Sequence, residues 1–501
     1  MIFRDWLKEL DYTLLQGSVD VETEDVIYDS RKAAPGKVFV AMKGIRVDGH
    51  SFIPQVLKAG VRVLVTERPV EEELKNSGLS EEELKQVTVV MVEEGRHALA
   101  LLSAARFDHP AKKLVMIGVT GTKGKTTTTH MIRAILLAAG KKVGMIGTTG
   151  TVIGDVVTPT LNTTPESYEL HQAFAQMVEA GCEYAVMEVS SQGIKMHRTD
   201  GLYFNYAIFT NISPDHIGPG EHADFEEYLY YKTRLLNMCG IGLVNKDDKH
   251  APQIIKAANC ELYTYSEESK EADFVASDIR YVSQPDFVGT EFHISGKYDM
   301  EVRLGIPGLF NVVNALAAVS VCSFLGLDQA RTSHAVENIR VNGRMEIVYT
   351  SERCTVLVDY AHNAVSMESL LSTLRDYKPK RLVCVFGCGG NRSKDRRYSM
   401  GEIGGKMADL SIITADNSRY EKVEDIIADI RGSIEKTGGK FIEIPDRREA
   451  IRYSILHAQP GDMVAVIGKG HEDYQEINGV RHHFLDREVI EETVKELGEK
   501  A

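Results

Sequence analysis

The chain has 501 residues, 43% hydrophobic and 26% charged, an ordinary globular balance with apolar material for several cores. Its 72 acidic residues outnumber 58 basic ones, and the net charge of −14 speaks against nucleic acid or an anionic membrane as the main partner, while leaving a small anionic substrate open. No run is long and apolar enough to insert in a membrane, residues 1–8 lack a signal-peptide apolar core, and seven scattered cysteines read as reduced thiols, so a cytoplasmic protein is expected.

Three α/β segments follow one another. In residues 1–109, Val38-Phe39-Val40-Ala41 and Val61-Arg62-Val63-Leu64-Val65 read as short buried strands. The charged stretch 71–86 reads as a solvated helix or loop. A helix over 96–107 is stopped by Asp108-His109-Pro110, a boundary because proline disfavours helix in the residue before it.

Residues 110–340 open on an apolar run, Leu114-Val115-Met116-Ile117, followed by Gly118-Val119-Thr120-Gly121-Thr122-Lys123-Gly124-Lys125-Thr126-Thr127-Thr128 and an apolar-periodic stretch, 130–137. Strand, glycine-rich loop and helix are the context of a phosphate cradle. Glycines let backbone N–H groups crowd a phosphate, and the helix N-terminus adds positive partial charge. Lys125 would reach the outer phosphates and Thr126 would ligate Mg²⁺. Five residues separate Gly118 from Gly124, one more than in the generic loop.

Further strands are expected at 143–146, 184–187, 206–209 and 241–244, with helices between them, giving a largely parallel sheet. Glu188 closes one of these strands, and ligands gather at such carboxyl ends, so it is a candidate Mg²⁺ ligand. His216 stands in the polar loop after the next strand and reads equally as structural. Lys232 ends an aromatic-rich helix and by composition reads as a snorkelling lysine.

Residues 341–501 carry strands at 356–358, 381–386, 410–414 and 463–467 and read as a doubly wound unit. Cys384 and Cys388, without a second pair, do not read as a zinc site.

Taken together, the phosphate loop, Met187-Glu188-Val189-Ser190-Ser191, Thr210-Asn211-Ile212-Ser213-Pro214-Asp215-His216, Asn342-Gly343-Arg344-Met345-Glu346, Val358-Asp359-Tyr360-Ala361-His362 and Gly468-Lys469-Gly470-His471-Glu472-Asp473-Tyr474 resemble the Mur ligase family, in the family's order and over nearly the whole chain. Asp29-Ser30-Arg31, 35–41 and Asp48-Gly49-His50 resemble the branch that adds the third amino acid to the peptidoglycan precursor. The resemblance implies an α/β protein of three domains. These are a small N-terminal UDP-binding domain (1–109), a central P-loop ATPase domain with a largely parallel sheet (110–340) and a C-terminal Rossmann-like amino-acid-binding domain (341–501).

It also implies an ATP-dependent amide ligase acting on UDP-N-acetylmuramoyl-L-alanyl-D-glutamate. The D-glutamate carboxylate takes the γ-phosphoryl group, and an amine then attacks the acyl phosphate. Lys125, Glu188, His216, Lys232 and Arg344 are the implied catalytic set. Gly118, Thr120, Gly121, Thr122, Lys123, Gly124, Lys125, Thr126 and Thr127 would hold the ATP phosphates, Asn311 the adenine, Arg344 the phosphates and Asp359 the ribose. Two Mg²⁺ ions are implied, on Thr126, Glu188, His216 and Lys232, the last as a CO₂-derived carbamate, since a bare lysine offers a cation no ligand. Ser30 would contact uridine; Asn162, Thr163, Thr164, Ser190 and Arg198 would contact the diphosphate and sugar-peptide. Met196 and the 218–222 loop depart from the commoner family form. A monomer is expected.

Arg392, Asp416, Asn417, Ser418, Arg419, Gly468 and Glu472 match the amino-acid site. Relatives specific for meso-diaminopimelate carry Asp-Asn-Pro-Arg, whose arginine grips the distal carboxylate; here Asp416-Asn417-Ser418-Arg419 keeps the arginine and loses the proline, which would loosen the loop. A site built for a polar partner rejects an analogue lacking it by about 10⁴-fold, which favours meso-diaminopimelate over L-lysine or ornithine. Two other readings are a folylpolyglutamate synthase-like ligase, which would lack the first segment and the Asp-Asn-x-Arg motif, and a non-catalytic nucleotide-binding scaffold, which would lose Lys125, Glu188, His216 or Lys232.

Overall fold

The computed structural model describes residues 1–44 and 47–498. The chain divides into two compact units, Met1–Tyr265 and Ser266–Ala501.

The first unit holds two sheets. The smaller runs in the order Thr13–Gln16, Thr88–Met91, Val63–Thr66, Lys37–Val40, Asp25–Ile27; only the edge strand Thr13–Gln16 is antiparallel. Its three inner strands are short valine-rich runs buried on both faces, as parallel strands flanked by helices must be. Val38, Val40, Val65 and Val90 pack with Phe3, Trp6 and helix Gly95–Arg106 on one side; Phe39, Leu64 and Val89 pack with Ile53, Val56 and Leu57 on the other. The charged stretch 71–86 forms two short helices, Glu71–Lys75 and Glu81–Leu84, the second closed by a Ser80–Glu83 capping box. Helix Gly95–Arg106 ends where Asp108 and His109 both take left-handed backbone angles, φ 57° and 46°, just before Pro110.

The larger sheet orders Glu261–Ser266, Cys239–Asn245, Phe204–Phe209, Val115–Thr120, Tyr184–Glu188 and Val143–Gly147 in parallel, then turns antiparallel through Gly150–Ile153 and Val156–Thr158. Val115–Thr120 is therefore central, and its carboxyl end faces those of Tyr184–Glu188 and Phe204–Phe209.

The second unit begins with an antiparallel meander, Phe274–Gln284, Phe287–Gly296 and Met300–Leu304, then helices Leu309–Ser323 and Gln329–Glu337. A six-stranded sheet follows, ordered Glu346–Thr350, Cys354–Asp359, Asp462–Ile467, Arg381–Phe386, Leu410–Ile413, Phe441–Glu443, antiparallel only at the first strand. The buried pair Arg447–Asp486, two contacts of 2.7 Å, also donates from Arg447 to the carbonyls of Ile467 and Ala415. It thereby ties together the carboxyl ends of two strands; removing one partner of such a pair costs about 3–5 kcal/mol. Hairpin Tyr474–Ile477 and Val480–His483 forms a separate small sheet.

Candidate functional site

The loop after Val115–Thr120 is shaped by contacts within the chain. Gly121 has φ 145°, and a Cβ there would stand 1.9 Å from the Thr210 hydroxyl, so only glycine fits. The following strand's loop clamps it: the Thr122 and Lys123 N–H groups donate to Asn211 O and Oδ1 at 2.9 Å each. The Asn211 amide and Thr210 hydroxyl donate back to Lys123 O at 3.0 and 2.7 Å. Helix Lys125–Ala138 starts directly after Gly124, so its N-terminal dipole points into the loop.

Two lysines meet on one carbonyl. Lys125 Nζ donates to Gly121 O at 2.8 Å, and Lys232 Nζ, from helix Phe225–Thr233, donates to the same oxygen at 2.8 Å. Lys232 is 2% exposed and lies 4.7 Å from the centre of the Tyr228 ring. Burial, then the neighbouring Lys125 charge, push its ammonium well below the usual lysine range.

Glu188 closes its strand and is buried. Its carboxylate accepts the Thr126 hydroxyl at 3.0 and 3.1 Å, the Thr148 N–H at 2.9 Å and the Thr148 hydroxyl at 3.2 Å. Gly147 leaves it room; a Cβ there would stand 2.3 Å from Oε1. The carboxylate and hydroxyl oxygens of Glu188 and Thr126 are the hard donors Mg²⁺ takes. The nearby Thr120 and Thr128 hydroxyls are buried without a hydrogen-bond partner among the described residues. This set fits the ion. His216 is placed differently: it is exposed, at φ 53°, with Nδ1 3.1 Å from Glu221 Oε1. Among the described residues neither Glu188 nor His216 joins a group of three His, Cys, Asp or Glu with converging ligand atoms.

Beside Glu188 stand the expected sugar-peptide contacts. Thr164 donates to Glu188 O at 3.0 Å and accepts the Ser190 N–H at 2.9 Å. The Ser190 hydroxyl caps the helix Ser191–Lys195 through Gly193 N–H. Arg198 donates to Thr164 O at 3.0 Å and pairs with Glu166 at 2.7 Å. Thr163 meets Thr148 at 3.1 Å, and Asn162 is exposed. Ser30 lies apart, in the turn Ser30–Lys32 capped by Asp29.

In the second unit, Asp416 to Arg419 leave the end of strand Leu410–Ile413. Asn417 donates to Glu472 Oε2 at 2.9 Å, and buried Lys469 lies 3.3 Å from the same oxygen. Arg419 has φ 51°; its Nη1 donates to Gly390 O at 2.7 Å and its Nε lies 3.6 Å from Glu476 Oε2. The missing proline does not free this loop. The Arg419 N–H bonds Glu476 O at 2.9 Å, the Gly390 N–H bonds Asn417 O at 2.9 Å, and Ser418 is buried. Arg392, exposed, flanks Gly389 beside Arg419. Gly468 N–H bonds Asp359 O at 3.1 Å.

Both Asp359 oxygens accept backbone N–H groups, from Met345 and Ala361 at 2.8 Å each; burial pushes this carboxyl up, and those bonds pull it down. Arg344 lies over the Tyr360 ring at 4.9 Å. Asn311 is buried in the first turn of Leu309–Ser323, donating to Pro307 O at 2.7 Å and accepting from Asn314 at 3.2 Å.

Three family models match: Mur ligase family, catalytic domain, over residues 23–107; Mur ligase middle domain over 119–322; and Mur ligase, glutamate ligase domain, over 343–470. The chain belongs to the Mur ligase family. It is 39% identical over 498 residues to the UDP-N-acetylmuramoyl-L-alanyl-D-glutamate–2,6-diaminopimelate ligase of Caldanaerobacter subterraneus subsp. tengcongensis, covering 98% of each chain. It is 37% identical to the ligase of the same name from Clostridium perfringens, covering 98% of this chain and 99% of that one. A solved structure of a ligase of that name matches with TM-score 0.72 and 30% identity over 95% of this chain and 96% of that one.

In this Mur ligase Thr148, outside the residues singled out from the sequence, gives Glu188 two of its four contacts. The signal was present: Gly147-Thr148-Thr149-Gly150 is a polar turn at the carboxyl end of a buried strand, beside the one that bears Glu188.

Proposed function

We propose that this Mur ligase uses ATP to join meso-diaminopimelate to UDP-N-acetylmuramoyl-L-alanyl-D-glutamate in cytoplasmic peptidoglycan-precursor synthesis. Full-length identity to relatives named for that reaction carries the reading. A phosphate loop with its lysine, and a buried glutamate beside it, support it. The domains would divide near residues 109 and 340.

A carboxylate is a poor acyl donor until one oxygen becomes a phosphate leaving group. A D-glutamate carboxylate oxygen attacks the γ-phosphorus of ATP, the bond to the β-phosphate oxygen breaks, and ADP leaves. The diaminopimelate amine then attacks the acyl carbon, losing its proton to a base, and the tetrahedral adduct expels phosphate. Loop amides 118–127 and Lys125 gather charge on the phosphates. Arg344 adds a cation, Asn311 holds adenine and Asp359 ribose.

Mg²⁺ held by Thr126 and Glu188, with His216 and carbamylated Lys232 for a second ion, would screen the two anions that must meet. The lowered basicity of Lys232 favours the neutral amine that attacks CO₂ to give the carbamate. Ser30, Asn162, Thr163, Thr164, Ser190 and Arg198 would position the nucleotide sugar. Arg419, with Arg392, Asp416, Asn417, Ser418 and Gly468 around it, would grip the distal carboxylate of diaminopimelate through paired hydrogen bonds, and Glu472 its distal ammonium.

Phosphate release tests the reaction class. It should require ATP, the muramoyl dipeptide and an amino acid together; release with a folate in place of the dipeptide would indicate the folylpolyglutamate-type ligase instead.

A further inference from the structure

Helix Gly95–Arg106 and the turn after helix Ser191–Lys195 meet through two carboxylates. Glu166 takes Arg96 at 3.6 Å and Arg198 at 2.7 Å. Asp200 takes the neighbours of those arginines in sequence: His97 Nδ1 at 2.6 Å and His197 Nδ1 at 2.8 Å, both on Oδ2. The two imidazoles stand edge to face, 6.3 Å apart at 78°. Burial alone would raise the Asp200 carboxyl, but hydrogen bonds from His197 and His97 hold it at about 2. It is therefore an anion at any working pH.

The ligand atoms of His97, His197 and Asp200 all lie within 4.8 Å of one another, and no other trio of His, Cys, Asp or Glu among the described residues does this. Nothing in the ligase chemistry above uses them. We propose that these three residues form a further metal site, distinct from those proposed for Mg²⁺ and selective for a borderline transition ion of the Zn²⁺, Co²⁺ or Ni²⁺ class.

The chemistry selects the ion. Two imidazole nitrogens and one carboxylate oxygen are the donor set of open zinc sites, with water completing the tetrahedron. Mg²⁺ demands octahedral, oxygen-rich coordination, which a set of two nitrogens to one oxygen supplies less well than the Mg²⁺ site does. Tetrahedral bonds of about 2.1 Å set ligand atoms about 3.4 Å apart. The two nitrogen–oxygen contacts must therefore open from 2.6 and 2.8 Å to about 3.4 Å, with the metal replacing the protons that now bridge nitrogen and oxygen. The side chains can give: His97 is 44% and His197 39% exposed, which also leaves an entry path.

The ion would act as a staple. It would join the helix that closes the N-terminal sheet to the turn that carries Arg198, a proposed substrate contact one residue from a ligand. Metal binding should then raise the melting temperature and hold Arg198 against Glu166.

The test uses the full chain without a polyhistidine tag, in excess Mg²⁺, titrated with Co²⁺ and followed by visible absorption, and with Zn²⁺ followed by calorimetry. Wild type should bind one equivalent with a tetrahedral Co²⁺ spectrum and melt higher in Zn²⁺. His97→Gln, which can still hydrogen-bond Asp200, and Asp200→Asn should each weaken binding by about 100-fold and abolish the melting shift. Circular dichroism confirms that the variants fold. Uptake that is unchanged in both folded variants, or no uptake by wild type, would overturn the site.

Discussion

Lys125 and Lys232 direct their side-chain nitrogens at the same oxygen, the Gly121 carbonyl, at 2.8 Å each. Burial, then the Lys125 charge beside it, lower the basicity of Lys232. A buried lysine of lowered basicity can serve here as a cation or, as proposed above, as a carbamate.

Lys232→Arg separates the two possibilities, because it keeps a positive charge and cannot form the carbamate. We expect turnover to fall by about 100-fold or more, as far as in Lys232→Ala. A carbamate carbon signal from ¹³C-bicarbonate should be present in wild type and absent in both variants. An active Lys232→Arg enzyme would show that the lysine works as a cation.

Glu188 offers a charge rather than a shape. Glu188→Gln preserves volume and an acceptor for Thr126, so stability should change little while kcat falls by about 10²–10³-fold, the usual loss when one stabiliser of transition-state charge is removed. The Mg²⁺ concentration for half-maximal rate should rise. A variant whose Mg²⁺ requirement matched wild type would place the ion elsewhere.

Arg419 donates to Gly390 O at 2.7 Å and lies 3.6 Å from Glu476 Oε2. Arg419→Ala should lower kcat/KM for meso-diaminopimelate by about 10²-fold or more, since the distal carboxylate loses a bidentate partner. The weaker lysine reaction should change by far less. Equal losses on both amino acids would contradict the carboxylate clamp.

His171 lies in helix Ser167–Glu179, 1% exposed, with neither ring nitrogen hydrogen-bonded among the described residues. Burial, with help from His109, lowers its pKa to about 3. The unfolded chain binds this proton near pH 6.5 and the folded one does not, so stability is full above that pH and falls as the solution is acidified toward pH 3, at about 1.4 kcal/mol per pH unit. His171→Leu removes this loss. Its advantage in urea midpoint should widen between about pH 6 and pH 4; parallel curves would mean the imidazole is charged in the fold.

The strand–glycine loop–helix around Gly121 and the strand-end place of Glu188 were legible because both are local: a buried apolar run predicts the strand, and the residues at its end are read directly. What holds them was not local. Asn211 clamps the loop from 88 residues away, and Thr148 braces Glu188 across 40, contacts that only the strand order 143–147, 184–188, 115–120, 204–209 creates. The meander from Phe274 to Leu304 is not legible in the same way, because half-exposed antiparallel strands show weaker apolar runs than buried parallel ones. Arg419 could be picked out as a residue, but its left-handed backbone and its bond to Gly390 could not.

The most direct test is the identity of the product. With ATP, Mg²⁺ and UDP-N-acetylmuramoyl-L-alanyl-D-glutamate, the enzyme should be offered meso-diaminopimelate, L-lysine and ornithine side by side, and the products weighed by mass spectrometry. Meso-diaminopimelate should give one new amide per ADP formed, and the other two at most trace product. Faster ligation of lysine or ornithine, or ADP formed without an amide, would contradict the proposed reaction.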